Sequence, residues 1–115
     1  MGFLSRKIKW TPLVESEKAL HDLFMVGDTV VHRTMFGTVL LVRKDDKVFA
    51  FKNQCPHQNK PMDGCWIEND SVVCPFHRYK YSLETGRGQG LYLEQYELKM
   101  DDKGVFLGKE GWSLF

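Results

Sequence analysis

Four residues of this chain have the types and spacing to bind metal. Cys55 and His57 stand in a Cys-Pro-His run, and Cys74 and His77 in a Cys-Pro-Phe-His run, with sixteen residues between the two. Thiolate and imidazole serve both zinc and iron–sulfur sites, so residue type alone leaves the metal open. Spacing narrows it. Structural zinc fingers pair cysteine with cysteine and histidine with histidine, whereas here each run supplies one of each, at unequal spacing. That arrangement suits a binuclear cluster, in which both thiolates bind one iron, both imidazoles the other, and each loop spans the two atoms.

The two runs need elements that bring them face to face. Both follow short apolar stretches, residues 48–51 before the first and Val72-Val73 before the second, and both stretches read as strands. Upstream, residues 29–31 and 38–42 read as strands, and Lys44-Asp45-Asp46-Lys47 is a turn leading into 48–51. Cys65-Trp66-Ile67 and Ser71-Val72-Val73 flank Glu68-Asn69-Asp70 as a compact hairpin. Residues 78–83 alternate, Glu84-Thr85-Gly86 turns the chain, and the tail has strand patterns at 91–93, 94–100 and 105–107. Near the N-terminus, Lys7-Ile8-Lys9-Trp10 predicts a first strand closed by Thr11-Pro12. Leu20, Leu23 and Phe24 at helical spacing, with Ser16 as a cap, predict one short helix within 15–24. The fold class is therefore all-β, an antiparallel sandwich or barrel with a hairpin-built, ligand-bearing unit at about 53–83.

The totals agree with an ordinary globular chain. With 115 residues, one domain is expected, and 43% apolar with 27% charged residues suits a soluble fold. A net charge of +1 argues against nucleic acid as the main partner. Around the ligands, Lys52, Lys60, Arg78, Lys80 and Arg87 are nearly balanced by Asp63, Glu68, Asp70 and Glu84, so a docking surface would be a small patch. The N-terminal stretch has no apolar run long enough for a signal peptide or a membrane span. Three cysteines, two of them spoken for as ligands, fit a reducing, cytoplasmic location.

The motif Cys55-Pro56-His57 with Cys74-Pro75-Phe76-His77 resembles that of the Rieske iron–sulfur family, most closely its small soluble ferredoxins. The resemblance extends over about residues 26–107 and includes the 48–51 strand, Gly64-Cys65-Trp66 and residues 79–86. It implies a Rieske-like antiparallel β-sandwich with a [2Fe–2S] cluster at its tip, held by Cys55, His57, Cys74 and His77, with the histidine edges facing solvent. Two neutral imidazoles in place of thiolates make reduction easier, and such centres span roughly −150 to +300 mV. The high-potential respiratory members add a disulfide between the ligand loops and a serine near a sulfide. The matching positions here are Lys60, Phe76 and Tyr79, so a potential in the lower half of that range is expected. Tyr81 matches a tyrosine that donates to a ligand sulfur in those proteins. Arg78 stands where many relatives carry glycine, and the 86–90 loop lacks a proline often found there, which predicts a less rigid cover.

What the resemblance implies for function is a one-electron carrier, taking electrons from a reductase and passing them to an oxygenase or another redox enzyme. The alternative is a small Rieske-like redox subunit of a larger oxygenase or nitrite reductase; a third reading is a zinc-binding or redox-sensing protein. No nucleophile–base pair, flavin fingerprint or further metal triad is visible, so no catalytic residue is assigned. Other conspicuous residues have plain readings. Cys65 is a small buried apolar residue, and His21 and His32 are ordinary surface or core histidines. Trp10, Trp66 and Trp112 serve the core or dock the tail, and Gly86-x-Gly88-x-Gly90 is a turn-rich loop rather than a phosphate cradle.

Overall fold

The computed structural model describes residues 4–114 apart from Phe36. Its centre is a doubly buried strand. In β3 (Gly37–Lys44) the four consecutive residues Val39, Leu40, Leu41 and Val42 are all buried, and their side chains alternate between two hydrophobic clusters. Leu40 and Val42 join Phe51, Met62, Val72, Tyr81, Leu83 and Leu93 beneath the ligand loops. Val39 and Leu41 join Leu13, Leu20, Phe24, Ala50, Val105 and Leu107 on the opposite face. A strand covered on both sides must be apolar throughout, which is why this stretch shows no polar alternation.

Around β3 the strands β1 (Leu4–Val14), β2 (Thr29–Thr34), β4 (Lys47–Lys52), β10 (Gln95–Asp101) and β11 (Gly104–Leu114) complete a six-stranded antiparallel sheet, ordered β1-β11-β10-β4-β3-β2. The β3–β4 hairpin turns at Asp45 and Asp46, whose φ values of 52° and 63° are the left-handed pair that matches strand twist. The helix α1 (Glu17–Asp22) falls within the expected window. The Ala19 amide donates to Ser16 Oγ at 3.0 Å, and Leu20 is buried in the second cluster.

Two strands outrun their sequence signals. β1 does not close at Thr11-Pro12 but runs from Leu4 to Val14, because it is an edge strand paired only with β11 and its register shifts between Pro12 and Val14. An edge strand with a bulge has amide positions that need not donate, so proline fits there. β11 extends well past residue 107, since pairing with β1 continues to Leu4↔Leu114 through a Lys-Glu-Gly stretch with no strand propensity of its own. Trp10 is also not a core residue: it is 37% exposed on the outer face, with the Lys99 ammonium 4.7 Å from its ring. The side chain of Trp112 lies outside the described residues.

The ligand-bearing unit has its own three-stranded sheet of β5 (Trp66–Glu68), β6 (Ser71–Val73) and β7 (Lys80–Ser82). A two-stranded hairpin, β8 (Arg87–Gly88) and β9 (Leu91–Tyr92), docks beside β7 where sequence had indicated a loop and a strand over 91–93. The missing proline does not leave this cover loose. Gln89 Oε1 accepts from the Lys80 amide at 2.9 Å, and the Leu93 amide donates to Gly86 O at 2.7 Å. The contact is so close that a Cβ on Gly88 would fall 1.8 Å from Lys80 O. Among the described residues no helix is long and apolar enough to cross a membrane.

Gly88→Ala must push two backbones apart. It is expected to destabilise the protein by about 1–3 kcal/mol, read as a lower denaturant midpoint. Gly27→Ala, at a site with nothing within 4 Å, should leave the midpoint in place. Equal midpoints for the two variants would contradict the close docking.

Candidate metal centre

The first ligand loop leaves β4 at Lys52 and is folded by its own backbone. The Cys55 amide donates to Lys60 O and the Asn59 amide to Cys55 O, each at 2.7 Å, with Asn59 at a left-handed φ of 57°. Asn53 ties the loop's two ends together: its Oδ1 accepts from the Met62 amide at 2.8 Å, and its Nδ2 donates to Asp63 Oδ1 at 3.0 Å. Met62 is fully buried and pins this closure to the core. The second loop, residues 74–79, connects β6 to β7. It is closed by the Cys74 amide donating to Tyr79 O at 2.8 Å. Its tight return places His77 and Arg78 at φ 66° and 58°, a conformation costly for any residue with a Cβ.

These loops bring the four predicted residues together as two pairs. His57 Nδ1 and His77 Nδ1 face each other at 3.5 Å, with the rings 80° apart. Two nitrogens about 2.1 Å from one tetrahedral metal lie roughly 3.4 Å apart, so this spacing suits a shared ion. Cys55 and Cys74 are 1% and 0% exposed, and their thiols are within hydrogen-bonding reach of each other. Among the described residues no three of His, Cys, Asp or Glu converge on a single point. The four residues lie as one thiol pair and one imidazole pair.

Burial dominates the electrostatics. It pushes the Cys74 thiol up to about 11, with the neighbouring Cys55 adding to the rise. A metal taken up at Cys74 must displace that proton, so its binding strengthens as pH rises. Tyr81 is fully buried and its phenol is pushed up by burial and then by Cys55, so it stays a protonated donor at 3.3 Å from Cys55 Sγ. Once Cys55 is a thiolate it can only accept, and Tyr81 O–H donates. Cys65 is buried and pushed up to about 12 by desolvation, an inert thiol as expected.

At the tip the two imidazoles differ. His77 is exposed; His57 is half-buried beneath the Tyr79 ring, so only one histidine fully meets the expectation of solvent-facing edges. Three further contacts cross between loops. The rings of Tyr79 and His57 stack at 4.0 Å, Lys60 Nζ lies 4.7 Å from the Phe76 ring, and Gly64 sits beside Pro75. Charges nearby sort themselves out. Glu68 accepts from Trp66 Nε1 at 2.7 Å and pairs with Lys80 at 3.3 Å, and Asp70 pairs with Lys44 at 2.8 Å. Arg78 is exposed and follows His77 in the chain; after the Trp66 hydrogen bond and Lys80, its charge also helps hold the Glu68 carboxyl below its ordinary range. Asn53 and the His57-facing role of Tyr79 were not singled out in the sequence. An asparagine at the end of a strand is a turn signal that could have marked the first; nothing local marks the second.

The Rieske [2Fe-2S] domain profile matches residues 10–96. The chain belongs to the Rieske [2Fe–2S] family. It is 30% identical over 93 residues to the ferredoxin component of the alkene monooxygenase system of Xanthobacter autotrophicus, a match covering 77% of this chain and 70% of that one. The ferredoxin of carbazole 1,9a-dioxygenase from Nocardioides aromaticivorans shares the fold at TM-score 0.64 and 22% identity, over 75% of this chain and 88% of that one. A chain of the carbazole-bound oxygenase–ferredoxin complex of carbazole 1,9a-dioxygenase gives TM-score 0.67 and 19% identity, over 85% of this chain but only 27% of that one. The cofactor of this Rieske protein is a Rieske-type [2Fe–2S] cluster, and the two-and-two donor set has the chemistry to hold it. When bound, the cluster exchanges single electrons.

A hydrogen bond to a ligand sulfur favours the more negative, reduced state. Tyr81→Phe removes the donor and keeps the buried ring, so the midpoint potential should fall by roughly 40–60 mV, the equivalent of about 1–1.4 kcal/mol for one electron. Potentiometric titration checks this. An unchanged midpoint would show that Tyr81 acts by packing alone.

Proposed function

We propose that this chain is a one-electron carrier that accepts an electron from a reductase and delivers it to an oxygenase or another redox enzyme. In this reading Cys55 and Cys74 bind one iron, and His57 and His77 bind the other. The observation that carries it is the pair of imidazole nitrogens aimed at each other at 3.5 Å, one ring exposed, at the end of a core that buries both thiols. The similarity to an alkene monooxygenase ferredoxin supports an oxygenase as the acceptor.

The residues divide the work. Buried Cys55 and Cys74 keep the sulfur side away from water, and Tyr81 holds a proton against Cys55 Sγ. His77 offers the most exposed edge, which is where an electron has the shortest way out. Arg78, exposed and next to His77 in the chain, adds a positive charge at this end of the molecule that is shared with Glu68. A left-handed φ of 58° there would cost least with glycine, so the arginine is held at some conformational expense. An acidic docking surface on the partner would offset it.

The test is stopped-flow reduction by the native reductase at low ionic strength. Wild-type protein should take up one electron per chain. Arg78→Glu should slow reduction roughly 3–10-fold, with a flatter salt dependence and an unchanged visible spectrum. Arg78→Gly should also slow it while leaving stability equal or up to about 1 kcal/mol higher. No electron uptake would contradict the carrier reading, and equal rates for all three proteins would contradict a docking role for Arg78.

A further inference from the structure

We propose that Tyr79 is a positioning residue that clamps His57 from the opposite loop and keeps water off that imidazole. The inference rests on reading His57 as an iron ligand. His57 and Tyr79 belong to different loops, yet their rings stack with centroids 4.0 Å apart and planes 26° from parallel. Tyr79 is half-buried and packs against the core beneath the ligand loops, so its ring has a fixed base. The imidazole has two side-chain torsions to set. Its edge contact with His77, at 80°, leaves a broad face uncovered, and the phenol ring covers it. With that face fixed, Nδ1 is left aimed at His77 Nδ1 at 3.5 Å.

The clamp is one-sided. His77 is exposed and has no stacked partner among the described residues, whereas His57 is half-buried. The tyrosine hydroxyl makes no hydrogen bond among the described residues, so the ring does the holding and phenylalanine should serve as well. Removing the ring has two consequences with definite signs. Water reaching His57 stabilises the more negative reduced state and raises the potential. An imidazole free to rotate is a poorer ligand, so the cluster is lost faster.

The experiment compares holo wild type with Tyr79→Ala and Tyr79→Phe. Two quantities are read, midpoint potential and half-life of visible absorption under a chelator, with thermal unfolding as the check that each variant is folded. Tyr79→Ala should raise the midpoint and shorten the half-life several-fold, and Tyr79→Phe should match wild type on both. An alanine variant that never holds its cluster, beside a phenylalanine variant that does, gives the same answer. The proposal is overturned if alanine matches wild type, or if phenylalanine fails as alanine does. His57→Ala separates the underlying reading: an unaltered cluster spectrum there would remove His57 from the ligand set, whatever Tyr79 does.

Discussion

Two imidazole nitrogens 3.5 Å apart, carried by two separate loops, impose the demand that the rest of the molecule meets. The three cysteines are free, so no disulfide among the described residues spans the loops. Position comes instead from below and from across. From below, β4 and β6 deliver the two loops from strands whose side chains share one core with the fully buried Leu40, Val42 and Tyr81. From across, Tyr79 on His57 and Lys60 on Phe76 join loop to loop. Each such contact is worth about 0.5–1.5 kcal/mol, so neither alone would fix the gap; together they act on loops already closed by their own backbone bonds.

The site is graded from dry to wet over the length of a cluster. The cysteine side is sealed: Cys55 and Cys74 are both buried, and burial pushes the Cys74 thiol up. The histidine side opens to solvent at His77 and Arg78, in a turn whose left-handed backbone stores strain. In the proposed ligation a sealed sulfur side would protect the inorganic core, and an open imidazole side would shorten the distance to a partner. Both properties follow from which face of the ligand unit rests on β3.

Legibility in the sequence tracked the range of the interaction. The four candidate metal-binding residues were readable because their spacing within each run is covalent, and the 38–42 strand because double burial leaves an unbroken apolar run. The Ser16 cap and the Asp45-Asp46 turn were readable for the same local reason. The full lengths of β1 and β11 were not, since each is a strand chiefly because the other pairs with it. Gly86 and Gly88 read as a flexible loop, whereas they are glycine because backbone passes within contact of them. Tyr79 looked like one residue of an alternating strand. Its meaning depends on a ring from another loop, which no local pattern encodes.

The most direct test of the account is pulsed EPR with nitrogen hyperfine detection on the dithionite-reduced protein, supported by its iron and zinc content. The account predicts a paramagnetic [2Fe–2S] centre with two imidazole nitrogens strongly coupled to it, and the loss of one coupling in His57→Ala or His77→Ala if either variant still holds iron. A colourless, zinc-loaded protein, or a cluster with no strongly coupled nitrogen, would contradict it.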